Sequence, residues 1–306
     1  MDPRTQVVEV RDVGRSATLG GVELVRSRVR SELRRSMGMH RVPPPPCTDP
    51  DQAYFHPDSV TRRVHGDLPA MLIGGLSTLL LQMLHPLAMA AVAGHSNYRT
   101  DPLGRLERTA DFIGTTTFGS RSEARAAIDR VQGVHARVVG TAPDGRPYSA
   151  SDPDLLTWVH STEVYSFLAA ARAYAAHVLT PADEDAYVDE MARVALDLGA
   201  LWVPRTVAGL DAYFEAVRPE LRLTTEARTA RNFIVRGVGR WPHEITTHGV
   251  LVAAAQGVLP AWARRELRLP AISAVDLLAV RPAARALGSA LRWVVAGPRA
   301  RVAADR

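Results

Sequence analysis

Apolar residues recur every three or four positions over most of this chain, whereas the strict alternation that marks β-strands is almost absent. This pattern predicts a series of amphipathic helices, among them one over Leu103–Phe118, one from Ser120 to Gly140 and a long one that opens at Asp152. A Pro-Asp-Gly turn signal within residues 141–150 predicts one short hairpin. We therefore predict an all-α fold, a single large helical domain.

The segment 105–140 carries the residues of greatest chemical interest. Arg105 and Thr109 are four positions apart, so a helix places both on one face. In the following helix, His135 falls on a stripe of apolar residues and is expected to face the interior. By spacing alone, this histidine has two interpretations, a hydrogen-bonded imidazole of the core or a metal ligand.

A long uncharged stretch precedes that segment, because residues 68–93 contain no Asp, Glu, Lys or Arg. A run of this length could cross a bilayer, but Pro86 in its middle should kink or end a helix. We interpret the stretch as a pair of buried helices, the first capped by Asp67, with a membrane-inserted segment as the alternative. Gly74 and Gly75 are predicted to make a packing contact between helices.

Composition and charge exclude several functions. The 306 residues carry 37 basic and 32 acidic side chains, a modest excess that does not indicate a nucleic-acid partner. The single cysteine, Cys47, cannot form an intrachain disulfide, and we interpret it as an ordinary thiol. The first residues lack the charged and apolar regions of a secretory signal, so we expect a cytoplasmic protein.

The first 50 residues are predicted to form an arm that precedes a catalytic domain over residues 51–300. Five arginines lie on a predicted helix over Val22–Met39, and four prolines follow at Pro43–Pro46. We favour a solvated helix packed loosely on the domain. The alternative is an arm attracted to a partner or to an anionic membrane, which would make the protein membrane-peripheral.

Five motifs occur in a specific order along the chain: GDLPAMLIGGLSTLLLQMLHP, RLERT, TTFG, VHARVVG and DPDLLTWVHST. In this order they resemble the catalytic domain shared by the rubber oxygenases, or latex-clearing proteins, and the oxygenases of mycophenolic acid biosynthesis. The resemblance covers roughly residues 54–296. It implies a globin-like helical core with additional helices around a b-type haem.

The resemblance also implies which histidine holds the iron. It places the axial ligand in the HARVVG segment, which makes His135 the predicted ligand, with His160 of WVHST as the alternative cofactor-binding residue. The chain has no Cys-x-x-Cys-His motif, so covalent attachment of haem is excluded. A helix delivers an axial nitrogen rigidly, which suits either histidine.

Three residues are predicted to act beside the haem. The resemblance places Arg105 and Thr109 at the haem edge or on its distal side, where they would hold a propionate or steer dioxygen. Arg108 lies between them in sequence, at a position where the resemblance implies a different basic residue that covers the iron in rubber-cleaving relatives. Without the resemblance, Arg105 would be interpreted as a surface ion pair with Asp101 or Glu107.

These assignments predict a haem b-dependent oxygenase that uses dioxygen on a small hydrophobic, unsaturated substrate of isoprenoid or lipid type. The uncharged stretch 68–93 favours an apolar substrate over a sugar or nucleotide. Rubber-degrading relatives are secreted, so the absence of a recognisable signal disfavours an extracellular polymer. Two alternatives stay open, a globin-like haem sensor or carrier and a haem-free protein that binds a lipid in the same cavity.

Overall fold

The computed structural model describes residues 27–28, 45–236, 242–270 and 276–295. Within these ranges the chain forms twelve α-helices and one two-stranded sheet, which confirms the all-α fold. The helices are α1 (Val60–His65), α2 (Leu68–Gln82), α3 (Pro86–His95), α4 (Pro102–Phe118), α5 (Arg121–His135), α6 (Pro153–Tyr174), α7 (Pro181–Leu198), α8 (Val207–Val217), α9 (Thr225–Arg236), α10 (Pro242–Val258), α11 (Ala261–Glu266) and α12 (Arg281–Val295).

The sheet is a short antiparallel hairpin between α5 and α6. Strand β1 (Val139–Thr141) pairs with β2 (Pro147–Ser149), and Gly140 lies opposite Tyr148. The hairpin predicted from the Pro-Asp-Gly signal is thus confirmed. The arginine-rich helix predicted over residues 22–39 lies outside the described residues, apart from 27–28.

Helices α2 and α6 pack against each other at the centre of the fold. Trp158 of α6 is fully buried, and its indole N–H donates to the carbonyl of Gln82 at the end of α2 over 3.0 Å. Gly74 lies at the contact, since a Cβ at that position would come 2.5 Å from Cδ1 of Phe167. The predicted packing role is therefore confirmed for Gly74. Gly75 differs, because a Cβ there would meet no atom within 4 Å.

The two adjacent glycines should respond in opposite directions to alanine. We expect Gly74→Ala to lower the free energy of unfolding by about 1–3 kcal/mol, because α2 must move away from α6. We expect Gly75→Ala to raise it by about 0.5–1 kcal/mol, because alanine stabilises a helix without meeting a neighbour. Urea unfolding of both variants measures the difference, and equal effects would contradict the close approach at Gly74.

The uncharged stretch forms two helices, as the proline in its middle predicts. Helix α2 ends at Gln82 and α3 begins at Pro86, with a bend of 106° between them. His85 is buried and caps α3, where its Nδ1 accepts the N–H of Ala88 at 3.5 Å. No single helix in the described ranges has the length and apolarity to cross a bilayer; only this bent pair meets those criteria, with its halves taken together.

Asp67 joins the beginning of α2 to the ends of two other helices. Its carboxylate accepts the N–H of Ala70, which confirms the predicted cap, and the N–H of Ala176 after α6. It also accepts the guanidinium of Arg292 in α12 at 2.9 Å. Burial raises the pKa of Asp67, but these hydrogen bonds and the arginine charge outweigh burial and lower it overall. This junction fixes α2 against α6 and so fixes the wall of the site described below.

Candidate functional site

Helices α4 and α5 form a helical hairpin that carries the two main predicted site residues. The helices pack against each other and are joined only by Gly119 and Ser120, so they run in opposite directions. Arg105 precedes Gly119 by 14 residues, and His135 follows Ser120 by 15 residues. Both residues therefore lie toward the same end of the hairpin, which we call the open end.

The predicted start of α5 is confirmed, whereas its predicted end at Gly140 is wrong. The Ser120 hydroxyl accepts the N–H of Glu123 at 3.3 Å, and the Glu123 carboxylate accepts the N–H of Ser120 at 2.8 Å. The helix stops at His135, where the N–H of Val138 donates to the His135 carbonyl in a turn. Gly140 belongs to strand β1 instead, so His135 is the last residue of the helix.

The opposite, turn end of the hairpin is fixed to the rest of the protein. Arg62 is buried, and its guanidinium donates to the carbonyls of Thr117 at 3.0 Å, Cys47 at 2.7 Å and Phe118 at 3.3 Å. His65 is also buried, with Nδ1 2.7 Å from the Thr117 hydroxyl. These bonds satisfy the last carbonyls of α4 and anchor the turn.

Burial stops partway along the hairpin toward its open end. In α4 the buried residues are Thr116 and Thr117, and in α5 no residue after Ile128 is buried. Arg105 and His135 are only half-buried. The open end therefore lacks the close packing against the core that the turn end has.

The central helices α2 and α6 show a matching half-buried surface. Leu72, Gly75 and Leu79 lie along one face of α2, and none of them is fully buried. In α6, Val159 is 36% exposed and Glu163 is half-buried, although Trp158 and Val164 beside them are fully enclosed. From this incomplete burial we infer that the two faces border a space, which we call the cleft.

Contacts at both ends place the hairpin against this surface. Phe112 and Ile113 of α4 pack with Met71 of α2 around the same hydrophobic cluster. Seven residues earlier on α4, Arg105 lies close enough to Tyr98 for that phenol to affect its pKa. Tyr98 itself belongs to the same buried cluster as Leu80 near the carboxyl end of α2. The open end of the hairpin and the half-buried faces of α2 and α6 thus border the cleft.

Arg105 has no charged partner in the part of the chain that the structure describes. Its guanidinium makes no hydrogen bond or ion pair there, and Asp101, one of the two partners in the alternative interpretation, pairs with Arg108 at 3.3 Å instead. Burial lowers the pKa of Arg105. A half-buried guanidinium without a carboxylate is electrostatically costly, so this position favours an anion supplied by a ligand.

Arg108 and Thr109 make local contacts on α4. Arg108 is exposed, as expected for an arginine engaged with Asp101 at the beginning of the helix. Thr109 is exposed as well, and its hydroxyl donates to the carbonyl of Arg105 at 3.0 Å. The structure therefore brings Arg105 to the cleft, while the polar groups of these two residues bond to α4 and its cap.

The two candidate ligand histidines differ in accessibility. His135 is half-buried, and its ring makes no hydrogen bond to a described residue. His160 is 7% exposed, and its Nε2 is enclosed without a hydrogen-bond partner in the described part of the chain. Burial lowers the pKa of His135 and lowers that of His160 to about 4, so both rings are neutral at pH 7. A free, accessible nitrogen makes His135 the better-placed ligand.

One residue of the cleft was not predicted as functional. Glu163 of α6 makes no hydrogen bond with a described residue, and burial raises its pKa to about 7. A signal was present in the sequence, since Glu163 is the one acidic residue on a face shared with Leu156, Val159 and Phe167. A carboxyl group in such surroundings can exchange a proton near neutral pH.

The residues of the cleft fit a haem group better than a metal centre built from protein side chains. Among the described residues, no three His, Cys, Asp or Glu side chains come together to hold a metal ion. Haem requires one axial nitrogen, an apolar enclosure and partners for its propionates. His135, the uncharged face of α2 and the unpaired Arg105 meet these three requirements, although His135 lacks the carbonyl or carboxylate that usually orients such a ligand.

Two surface cavities lie elsewhere. One, of about 410 Å³, is lined by residues that include Tyr174 at the carboxyl end of α6 and Arg285 and Arg292 of α12. A second, of about 270 Å³, lies between Tyr54 and Arg193. Neither is lined by Arg105 or His135, so the candidate site rests on the cleft.

Comparison with known proteins identifies the family of this fold. A family model described as the catalytic domain of the ER-bound oxygenase mpaB/B' and rubber oxygenase matches residues 62–293. The matched segment begins within α1 and ends within α12, so it includes α2, α6 and the whole hairpin of α4 and α5. No curated protein and no solved structure gave a significant match. Because the match spans most of the sequence, the chain belongs to the mpaB and rubber oxygenase catalytic-domain family.

Proposed function

We propose that this protein is a haem b-dependent oxygenase that acts with dioxygen on a small apolar, unsaturated substrate. Membership of an oxygenase family supports the reaction class. One observation carries the haem assignment. Arg105, which has no charged partner among the described residues, and the accessible His135 lie toward the same end of one hairpin. A half-buried cation and a free imidazole near an uncharged wall suit an anionic, iron-containing macrocycle.

Each residue has a distinct role in this proposal. His135, neutral at pH 7, would hold the iron through a ring nitrogen. Arg105 would pair with a propionate or lie beside the reacting oxygen, where its guanidinium offers several donors at a fixed geometry. When bound, the haem supplies the dioxygen and redox chemistry, and the protein supplies ligation, orientation and access.

The walls of the cleft would select the substrate. Leu72 and Leu79 of α2 and Val159 of α6 offer aliphatic surface and no charge. Such walls bind hydrocarbon by removing it from water, at about 25 cal/mol for each Å² of apolar surface buried. Glu163 is the polar residue on this surface, and it could hold or accept a proton from an oxygenated part of the substrate.

An absorption spectrum tests the cofactor, and oxygen uptake tests the reaction. We expect the purified protein, supplemented with hemin, to show a Soret band that shifts on reduction with dithionite. We expect the loaded protein to consume oxygen when given a polyprenyl or unsaturated fatty substrate, but not with a saturated analogue. A Soret band without oxygen uptake would favour a sensor or carrier, and no band would favour the haem-free alternative.

Replacing Arg105 should affect the reaction more than the haem content. We expect Arg105→Ala to retain a Soret band through His135 and to slow oxygen uptake roughly tenfold, the loss of one charge-assisted hydrogen bond. Arg125→Ala is the matched control, since it removes an equal charge from an exposed side chain of α5 that pairs with Asp129. Equal rates for the two variants would remove Arg105 from the site.

A further inference from the structure

Large apolar side chains remain in contact with water around the open end of the hairpin. Their exposed fractions range from 39% to 84%, far above those of the core. We call this set the apolar rim: Leu103, Leu106, Val134, Val139, Leu201 and Trp202. Exposed aliphatic and aromatic residues that gather at one place usually mark an interaction surface.

Hydrogen bonds show that the members of the apolar rim share one end of the molecule. The side chain of Gln132, near the end of α5, donates to the carbonyl of Asp197 at 3.0 Å, four residues before Leu201. The Thr157 hydroxyl of α6 donates to the carbonyl of Trp202 at 2.7 Å. The loop after α7 is thereby tied to both α5 and α6.

The remaining members belong to the hairpin itself. Val134 directly precedes His135, and Val139 follows in β1. Leu103 and Leu106 flank Arg105 at the beginning of α4, which lies toward the same open end. The apolar rim therefore lies toward the same end of the molecule as the two main site residues.

Unpaired positive charge accompanies the apolar rim. Arg130 and Arg137 are exposed, lie four residues before and three residues after Val134, and pair with no carboxylate among the described residues. Asp101 and Asp144, at the same end, are each neutralised by arginine, the former by Arg108 and the latter by Arg146 among others. Exposed aliphatic and tryptophan side chains beside free arginines are typical of surfaces that insert into anionic lipid headgroups.

We propose that the apolar rim, with Arg130 and Arg137, docks on the surface of an anionic lipid bilayer. Leu201 and Trp202 would enter the headgroup region, while the arginines contact lipid phosphates. This docking would bring the cleft against the bilayer, so that an apolar substrate could pass into it without crossing water. Only that last step rests on the proposed oxygenase function.

Vesicle co-sedimentation of the full chain tests the docking directly. We expect the protein to sediment with vesicles of phosphatidylglycerol and phosphatidylcholine, to bind phosphatidylcholine alone at least fivefold more weakly, and to dissociate as salt rises. We expect the double variant Leu201→Ser, Trp202→Ser to lower the bound fraction at least fivefold. Val178→Ser is the matched control, because Val178 is 91% exposed on a loop that precedes α7.

The charge and the fold of the variants are checked separately. We expect Arg130→Gln with Arg137→Gln to weaken binding to anionic vesicles and leave binding to neutral vesicles unchanged. The Trp202 bond to Thr157 uses the backbone carbonyl, so serine at this position should preserve the loop, which circular dichroism and thermal unfolding can verify.

Three results would overturn the docking proposal. The first is failure of the natural protein to bind anionic vesicles. The second is an equal loss of bound fraction in Val178→Ser and in the double variant. The third is a dimer, seen by light scattering, that the double variant abolishes, while neither the natural protein nor the variant binds vesicles. The last result would identify a second copy of the chain as the partner. Since none of these assays involves turnover, a negative result leaves the oxygenase proposal intact, and a haem-free protein could still bind vesicles.

Discussion

Replacing His135 with alanine should leave a folded protein that no longer acquires a Soret band from hemin. His135 is half-buried at the last position of α5, so its removal leaves little of the core unpacked. The iron would lose its proposed axial nitrogen, and we expect the apparent affinity for hemin to fall by at least about 100-fold. Hemin titration followed by Soret absorbance measures the affinity, and a pyridine haemochrome assay measures the haem content.

Two histidine variants provide the controls. His160→Ala removes an enclosed side chain, so we expect it to lower the thermal midpoint while the Soret band persists. His95→Ala removes an exposed histidine at the end of α3 and controls for hemin bound non-specifically. If His135→Ala keeps its spectrum and haem content while His160→Ala loses both, the axial ligand has been assigned to the wrong helix.

Local chemistry explains which parts of the fold could be predicted from the sequence. Asp67 and Ser120 cap the helices predicted to begin after them, because a cap depends on only a few neighbouring residues. Pro86 breaks the uncharged stretch for a reason equally local. The end of α5 was misplaced because Val138 fits the helical spacing, whereas the pairing of residues 139–141 with 147–149 competes with the helix and is not visible in that spacing.

The candidate site also has some features that could be predicted from the sequence and others that could not. Arg105 and His135 were selected because their motifs resemble those of a known family, and their nearly equal distances from the turn then place them toward one end of the hairpin. The pairing of Arg108 with Asp101 depends on side-chain conformations that no periodicity encodes. The face that Glu163 shares with apolar residues is visible in the sequence, but the raised pKa of its carboxyl is not, because that shift comes from burial in the folded protein.

Glu163 makes the stability of the fold depend on pH. Burial raises its pKa from 4.5 to about 7, so the folded protein holds a proton that the unfolded chain releases. The contribution of the protonated carboxyl to the free energy of unfolding is fully present below pH 4.5. It is lost as the pH rises through about 7. Such a shift changes the free energy of unfolding by about 3 kcal/mol if the carboxyl group is fully buried, and by about 2 kcal/mol for a half-buried side chain.

We therefore expect Glu163→Gln to be more stable than the natural protein by about 2 kcal/mol at pH 8 and equally stable at pH 4. His65, His85 and His160 have pKa values lowered by burial and contribute the opposite trend, so the measurement is the difference between the two proteins at each pH. Glu266→Gln, which neutralises an exposed carboxylate on α11, should show no such pH-dependent difference. Parallel unfolding curves for Glu163→Gln and the natural protein from pH 4 to 8 would show that Glu163 is solvated, and the cleft would then lack the enclosure that a water-excluding oxygenase site requires.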